Sequence, residues 1–170
     1  MFKIKGWNPE AMVGPTAGTP AAKPMVLGKL IKKAKKPILI VGTEGLFEDI
    51  NGKPLIDLLI EVGNKGIPIC CTAHSSKYFL EKGFKPAMLK TSADITNLVG
   101  DPESGYDLAA YICVPYYLVT TLFNHLKNYA YKHLKTICLD RYFHPNADFS
   151  LPNLKKEEYK QAIQEIFAEL

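Results

Sequence analysis

The chain has 170 residues, 47% hydrophobic, 11% aromatic and 22% charged, with a formal net charge of +4. That length fits one compact domain burying roughly 70% of its unfolded surface, so folding requires neither disulfide nor metal, and the composition excludes disorder, collagen and coiled coil. No apolar run approaches the ~18 residues of a membrane span, and Met1 to Gly14 lacks the apolar core of a signal peptide, so a cytoplasmic protein is expected.

Residues 1–23 carry Gly6, Pro9, Gly14, Pro15, Gly18 and Pro20 with no helix or strand period, and read as an extended arm. Phe2, Ile4, Trp7, Met12 and Val13 make the arm apolar enough to lie on its own domain or on a partner. A single α/β domain is expected over residues 24–170. Pro24 opens a helix whose stripe is Val26, Leu27, Leu30, Ile31 and Ala34. Ile38 to Val41 is a continuous apolar run, a strand buried on both faces, followed by the turn Gly42-Thr43-Glu44-Gly45. Leu55, Leu58, Leu59 and Val62 mark a second helix, Ile67 to Cys71 a second strand, and Ser75 to Lys82 a short helix. Phe84 to Leu89 fits a short strand. Ser92 caps a helix ending before Gly100.

Leu108 to Val114 is the next strand. Leu118, Thr121, Leu122, His125, Leu126 and Tyr129 form a helical stripe, which predicts His125 as a hydrogen-bonded core histidine. Thr136 to Leu139 is the last clear strand. Residues 141–152 look irregular. Asn153 caps a final helix with inner face Tyr159, Ile163, Ile166, Phe167 and Leu170. Apolar strands alternating with helices predict a parallel sheet with helices on both faces.

Residues 1–36 hold eight Lys against Glu10 alone, a balance of +7, so the rest carries −3. Arg141 is the one arginine, which argues against nucleic-acid recognition. The four cysteines, Cys70, Cys71, Cys113 and Cys138, have no zinc or cluster spacing and fall in strand-like runs. Buried thiols and no metal site are expected. No catalytic residue is assigned: His74 follows a strand beside Ser75, but no carboxylate near it in sequence orients it and there is no nucleophile elbow.

Ligands of open α/β sheets sit at the carboxyl ends of strands. Four strand-exit turns qualify, the last being Asp140-Arg141-Tyr142, and the candidate cofactor residues are Gly42, Thr43, Glu44 and Gly45 after the first strand, Thr72 and His74 after the second, and Pro115 and Tyr116 after the third. The first turn is G-x-x-G and not a dinucleotide or P-loop fingerprint, and Glu44 repels a phosphate there. Tyr106, Tyr111, Tyr116, Tyr117, Tyr129, Tyr131 and Tyr142 make this half of the chain tyrosine-rich, as docking surfaces are. The candidate partner residues are Trp7, Tyr117, Arg141, Tyr142, His144 and Asn146. Arg141 serves either docking or the tethering of its own loop.

Four segments carry a family resemblance. They are Ala34-Lys35-Lys36-Pro37-Ile38-Leu39-Ile40-Val41-Gly42, Ile67-Pro68-Ile69, Gly105-Tyr106-Asp107, and Arg141-Tyr142-Phe143-His144-Pro145-Asn146-Ala147 through Asn153-Leu154. The chain resembles the epsilon-subunit family of the archaeal acetyl-CoA decarbonylase/synthase (carbon monoxide dehydrogenase/acetyl-CoA synthase) complexes. The resemblance implies a six-stranded Rossmann-like fold of the deoxyhypusine-synthase type, whose relatives bind NAD or FAD. It also implies assembly with an alpha subunit, as two alpha and two epsilon chains, with the carbon monoxide dehydrogenase activity and metal clusters in alpha. The epsilon role it implies is non-catalytic: stabilising alpha, or helping electrons reach FAD, with no tightly bound cofactor. The isolated chain is compatible with a homodimer. Two other readings remain, a flavin- or nucleotide-binding electron-transfer module and a detached central domain of a thiamine-diphosphate enzyme.

Overall fold

Strands that are apolar at every position need cover on both faces, and the helices supply it. The computed structural model describes residues 14–170; Trp7 and the other apolar residues of the first part of the arm lie outside them. The elements run β1 (Thr19–Pro20), α1 (Met25–Lys33), β2 (Pro37–Val41), α2 (Leu55–Asn64), β3 (Ile69–Cys71), α3 (Ala73–Glu81) and β4 (Met88–Leu89). They continue with α4 (Ser92–Gly100), a 3-10 turn over Pro102–Ser104, β5 (Leu108–Ile112), α5 (Tyr116–Tyr129), β6 (Lys135–Cys138), β7 (Phe149–Ser150) and α6 (Lys156–Ala168).

Among the described residues the sheet has seven strands in the order β1-β7-β6-β5-β2-β3-β4, all parallel. Alternation along β2 divides the core. Leu39 and Val41 face α1, α2 and α6, whereas Ile38 and Ile40 face α4 and α5. The chain builds outward from β2 to β4, then restarts at β5 on the other side of β2. That reversal leaves a crevice at the carboxyl ends of β2 and β5, where open α/β sheets bind things.

The amino edge is clasped by two of the sequence motifs. Both carboxylate oxygens of Asp107 accept 2.8 Å hydrogen bonds from the backbone N–H groups of Lys35 and Lys36. Lys36 donates to Ser104 O at 2.6 Å and lies over the Tyr106 ring. Lys-Lys-Pro and Gly-Tyr-Asp are thus two halves of one clamp that sets β2 beside β5.

Several expectations are corrected in detail. Seven strands replace the implied six, because the end of the arm adds an edge: Thr19 N donates to Asp148 O and Ala21 N to Ser150 O, both at 2.8 Å. The segment read as irregular holds β7, too short at two residues to show a period. Thr91, not Ser92, caps α4, its hydroxyl accepting from Asp94 N, and Gly100 is the last helical residue. Asn153 does not cap α6; its Oδ1 accepts from Phe143 N at 3.0 Å, and the helix starts with Lys155 as N-cap. On α1, Val26 is exposed and Gly28 is buried instead, because Ile166 O of α6 stands 2.3 Å from where a Cβ would be. On α5 the buried face is Val119, Leu122, Phe123, Leu126 and Lys127. His125 is therefore half-exposed and rests on Tyr129, with ring centroids 5.2 Å apart.

Candidate functional site

The exits of β2, β5 and β6 meet at the crevice. After β2, Gly42 N donates to Ile112 O at 3.0 Å and Glu44 N to Cys113 O at 2.8 Å. A Cβ on Gly42 would stand 2.1 Å from Cys113 O, so this glycine exists to let two strand exits touch. The chain then runs through a loop anchored by buried Leu46 and Ile50 before α2 begins at Leu55. Phe47 in that loop is 55% exposed and meets Tyr78 of α3 edge-on.

After β5, Cys113 takes a left-handed φ of +62° and donates its N–H to Asp140 Oδ1 at 2.8 Å. That bond fixes the carboxylate that follows β6. Pro115 opens α5, and Tyr116 stacks on His144 with centroids 3.9 Å apart while its hydroxyl donates to Phe143 O. Tyr117, one residue on, is 76% exposed. The loop after β6 is held by Leu154 N to Arg141 O, Phe143 N to Asn153 Oδ1 and His144 N to Ser150 Oγ. The Arg141 guanidinium takes no part in that tethering; it lies over the Tyr142 ring and donates to the Tyr142 hydroxyl.

These exits enclose a cavity of about 220 Å³, walled by Glu44 and Gly45, by Glu48 and Leu55, by Val114 and Tyr116, and by Asp140, Arg141, Tyr142 and His144, with Tyr159 reaching in from α6. Thr43 borders a shallow open depression outside it, beside Phe47, Asp49 and Lys156. Thr72 and His74 are not brought in. Ser75 donates to Val41 O and closes the β3 exit, and His74 is exposed on the first turn of α3. Asn146 lies elsewhere, accepting from Lys127 at 3.3 Å. Asp140 opens the fourth strand-exit turn that the sequence offers, Asp140-Arg141-Tyr142, and the fold brings it into the wall although the sequence singles out only Arg141 and Tyr142 there. Tyr159 and Glu48 gave no such signal, because α6 and the 46–54 loop are placed only by tertiary packing.

The β2 turn does not offer a cradle for the pyrophosphate of a flavin or nicotinamide dinucleotide. A pyrophosphate needs free backbone N–H groups at a helix N-terminus. At the β2 turn the N–H groups of Gly42 and Glu44 are spent on carbonyls, and no helix starts there. Glu44 and Glu48 add negative charge beside it, which opposes a phosphate. Among the described residues no group of three or more His, Cys, Asp or Glu is placed to hold a metal ion. All four thiols are buried, and burial pushes Cys70 up to about 11 and Cys71 to about 12. Among the described residues no helix is long and apolar enough to cross a membrane.

A family model described as CO dehydrogenase beta subunit/acetyl-CoA synthase epsilon subunit matches residues 6–167. The chain belongs to this family. Similar proteins include the acetyl-CoA decarbonylase/synthase complex subunit epsilon of Methanothrix soehngenii, 34% identical over 155 residues that cover 85% of this chain and 80% of the relative. Subunit epsilon 1 of Archaeoglobus fulgidus is 34% identical over 161 residues, 88% of this chain and 84% of its own. The epsilon subunit of Methanocaldococcus jannaschii is 34% identical over 157 residues, 89% and 92%. In this member of the CO dehydrogenase beta/acetyl-CoA synthase epsilon family, the loop most distinctive in sequence, Arg141 to Leu154, forms one wall of the cavity.

Two groups of that wall titrate in opposite senses. Burial, with the Glu44 carboxylate adding to it, pushes Asp140 from 3.8 up to about 7. Between those values the folded chain keeps a proton that the unfolded chain has lost. The stabilisation from Asp140 is therefore complete below about pH 4 and lost as pH rises through 7. Burial lowers His144 from 6.5 to about 4, so its stabilisation is present above about pH 6.5 and lost as pH falls toward 4. Asp140→Asn should leave the histidine effect exposed, with urea midpoints falling from pH 6.5 to 4.5. His144→Gln should show midpoints rising over the same interval. Equal slopes in the two variants would contradict the burial of these groups.

Proposed function

We propose that the chain is a non-catalytic accessory subunit that docks through the carboxyl edge of its sheet onto the alpha subunit of a carbon monoxide dehydrogenase component, two alpha with two epsilon chains, and stabilises it in the cytoplasm. The observation that carries this reading is the set of exposed aromatic side chains at that edge. Phe47, Tyr116, Tyr117 and Tyr142 are 55%, 46%, 76% and 48% exposed and come from three different strand exits. Exposing several large rings on one edge is unfavourable for an isolated chain and suits an interface core. The relatives, named as subunits of acetyl-CoA decarbonylase/synthase complexes, point the same way. Electron transfer through FAD draws no support from the cavity.

The test is binding to the purified alpha subunit by calorimetry. Phe47→Ser combined with Tyr117→Ser should weaken the complex by about a hundredfold, at 1–2 kcal/mol for each interface aromatic, with the melting temperature of the free chain little changed. Absence of micromolar binding by the unaltered chain would overturn the reading.

A further inference from the structure

Within the aromatic edge lies a cavity whose acidic groups the rings alone do not explain. Its walls hold three carboxylates, Glu44, Glu48 and Asp140, against one guanidinium, Arg141. Lys156 approaches Glu48 at 3.6 Å, but among the described residues Glu44 and Asp140 have no ion pair. Arg141 does not supply one, because its guanidinium is turned onto Tyr142.

The histidine in the wall is an independent sign of an unfilled site. His144 is 1% exposed, and its Nε2 has no partner among the described residues. The Thr120 hydroxyl already donates to Tyr116 O at 2.7 Å, so towards His144 Nδ1, 3.4 Å away, it acts as acceptor. That places the proton on Nδ1 and leaves Nε2 as a bare acceptor. Carboxylate oxygens and flat rings, with an unpaired ring nitrogen buried behind them, match a group that is cationic, planar and rich in N–H donors.

We propose that this cavity is a socket for an arginine side chain of the docked partner. The inference rests on the docking reading above and names the chemistry that the edge recognises. The aromatic side chains around the mouth exclude water, and Glu44 and Asp140 receive the guanidinium inside. Tyr116 and Tyr142 flank it.

The first test titrates the full isolated chain, labelled with ¹⁵N, with N-acetyl-L-arginine amide. Saturable shifts are expected at the amides of Glu44, Tyr116 and Asp140, with affinity reduced about tenfold in Glu44→Gln, the usual scale for one charged hydrogen bond. Glu44 is exposed, so the variant keeps the fold. No saturable shift overturns the proposal. So does an unchanged affinity in Glu44→Gln, or a response to inorganic phosphate in place of the arginine amide, which would make Arg141 the ligand-binding group. The second test is alpha-subunit binding by Glu44→Lys, expected to be weaker by about tenfold or more. If the aromatic variant weakens the complex while Glu44→Lys and the arginine amide do nothing, the socket is wrong and the docking reading stands. If the arginine amide binds but the alpha subunit does not, the docking reading falls and the cavity stands as a guanidinium site.

Discussion

Gly42→Ala should cost the free chain roughly 3 kcal/mol of stability, although alanine is the smallest possible addition. The new Cβ would lie 2.1 Å from Cys113 O, 2.7 Å from Cys113 C and 3.0 Å from Val114 Cα, all backbone. Neither side can yield by rotating a side chain, and Cys113 is already held at a φ of +62°. The exits of β2 and β5 must separate, at about 1–3 kcal/mol for overpacking. Separation also stretches the bonds from Gly42 N to Ile112 O and Glu44 N to Cys113 O, each worth about 1 kcal/mol. Gly45 provides the comparison. It has a φ of +73°, and an added Cβ would meet only Glu48 Oε2 at 3.8 Å, so Gly45→Ala should lose only about 1 kcal/mol, the cost of a left-handed backbone. Urea unfolding of both variants separates the two uses of glycine. A loss below about 1 kcal/mol for Gly42→Ala would mean that the turn is a ligand loop and not a packing contact.

That pair of glycines also shows how much of the site was legible in the sequence. The turn Gly42 to Gly45 is visible as a strand exit, and the switch between β2 and β5 makes its position functional. Whether its glycines approach a phosphate or another strand depends on Cys113, some seventy residues away, and no local pattern carries that. The long apolar strands β2, β5 and β6 are legible because burial on both faces leaves a continuous run. Strands β1, β4 and β7, two residues each, are held by pairing to neighbours and show no period of their own. His74 and Ser75 look like a site because they follow a strand. In the fold Ser75 is spent on Val41 O, and the β3 exit stands away from the cavity. Asp140 and His144 gain their unusual protonation from burial, with Glu44 adding to it at Asp140, and tertiary structure alone brings that about.

Phe123→Ala and Tyr129→Ala test the placement of α5, on which the His144 wall depends. The apolar stripe read from sequence puts Tyr129 on the inner face and omits Phe123. In the fold Phe123 is fully buried and Tyr129 is 78% exposed. The stripe is misleading because Leu122 and Leu126 belong to both alternatives, and the buried Lys127 masks the true face with a charged residue type. Phe123 meets Tyr111 edge-on at 4.9 Å and His144 at 5.7 Å, so it forms the floor beneath the histidine. Phe123→Ala should therefore lose about 3–5 kcal/mol, the range for emptying a buried aromatic position. Tyr129→Ala should stay within about 0.5 kcal/mol of the parent. The same Phe123 variant should let water reach the ring of His144, raising its pKa from about 4 towards 6.5 in an NMR titration. A large loss for Tyr129→Ala with a small one for Phe123→Ala would rotate α5 by roughly a hundred degrees, one residue of a 3.6-residue turn. That rotation would take Tyr116 out of the cavity wall and strip the histidine of its two ring contacts from α5.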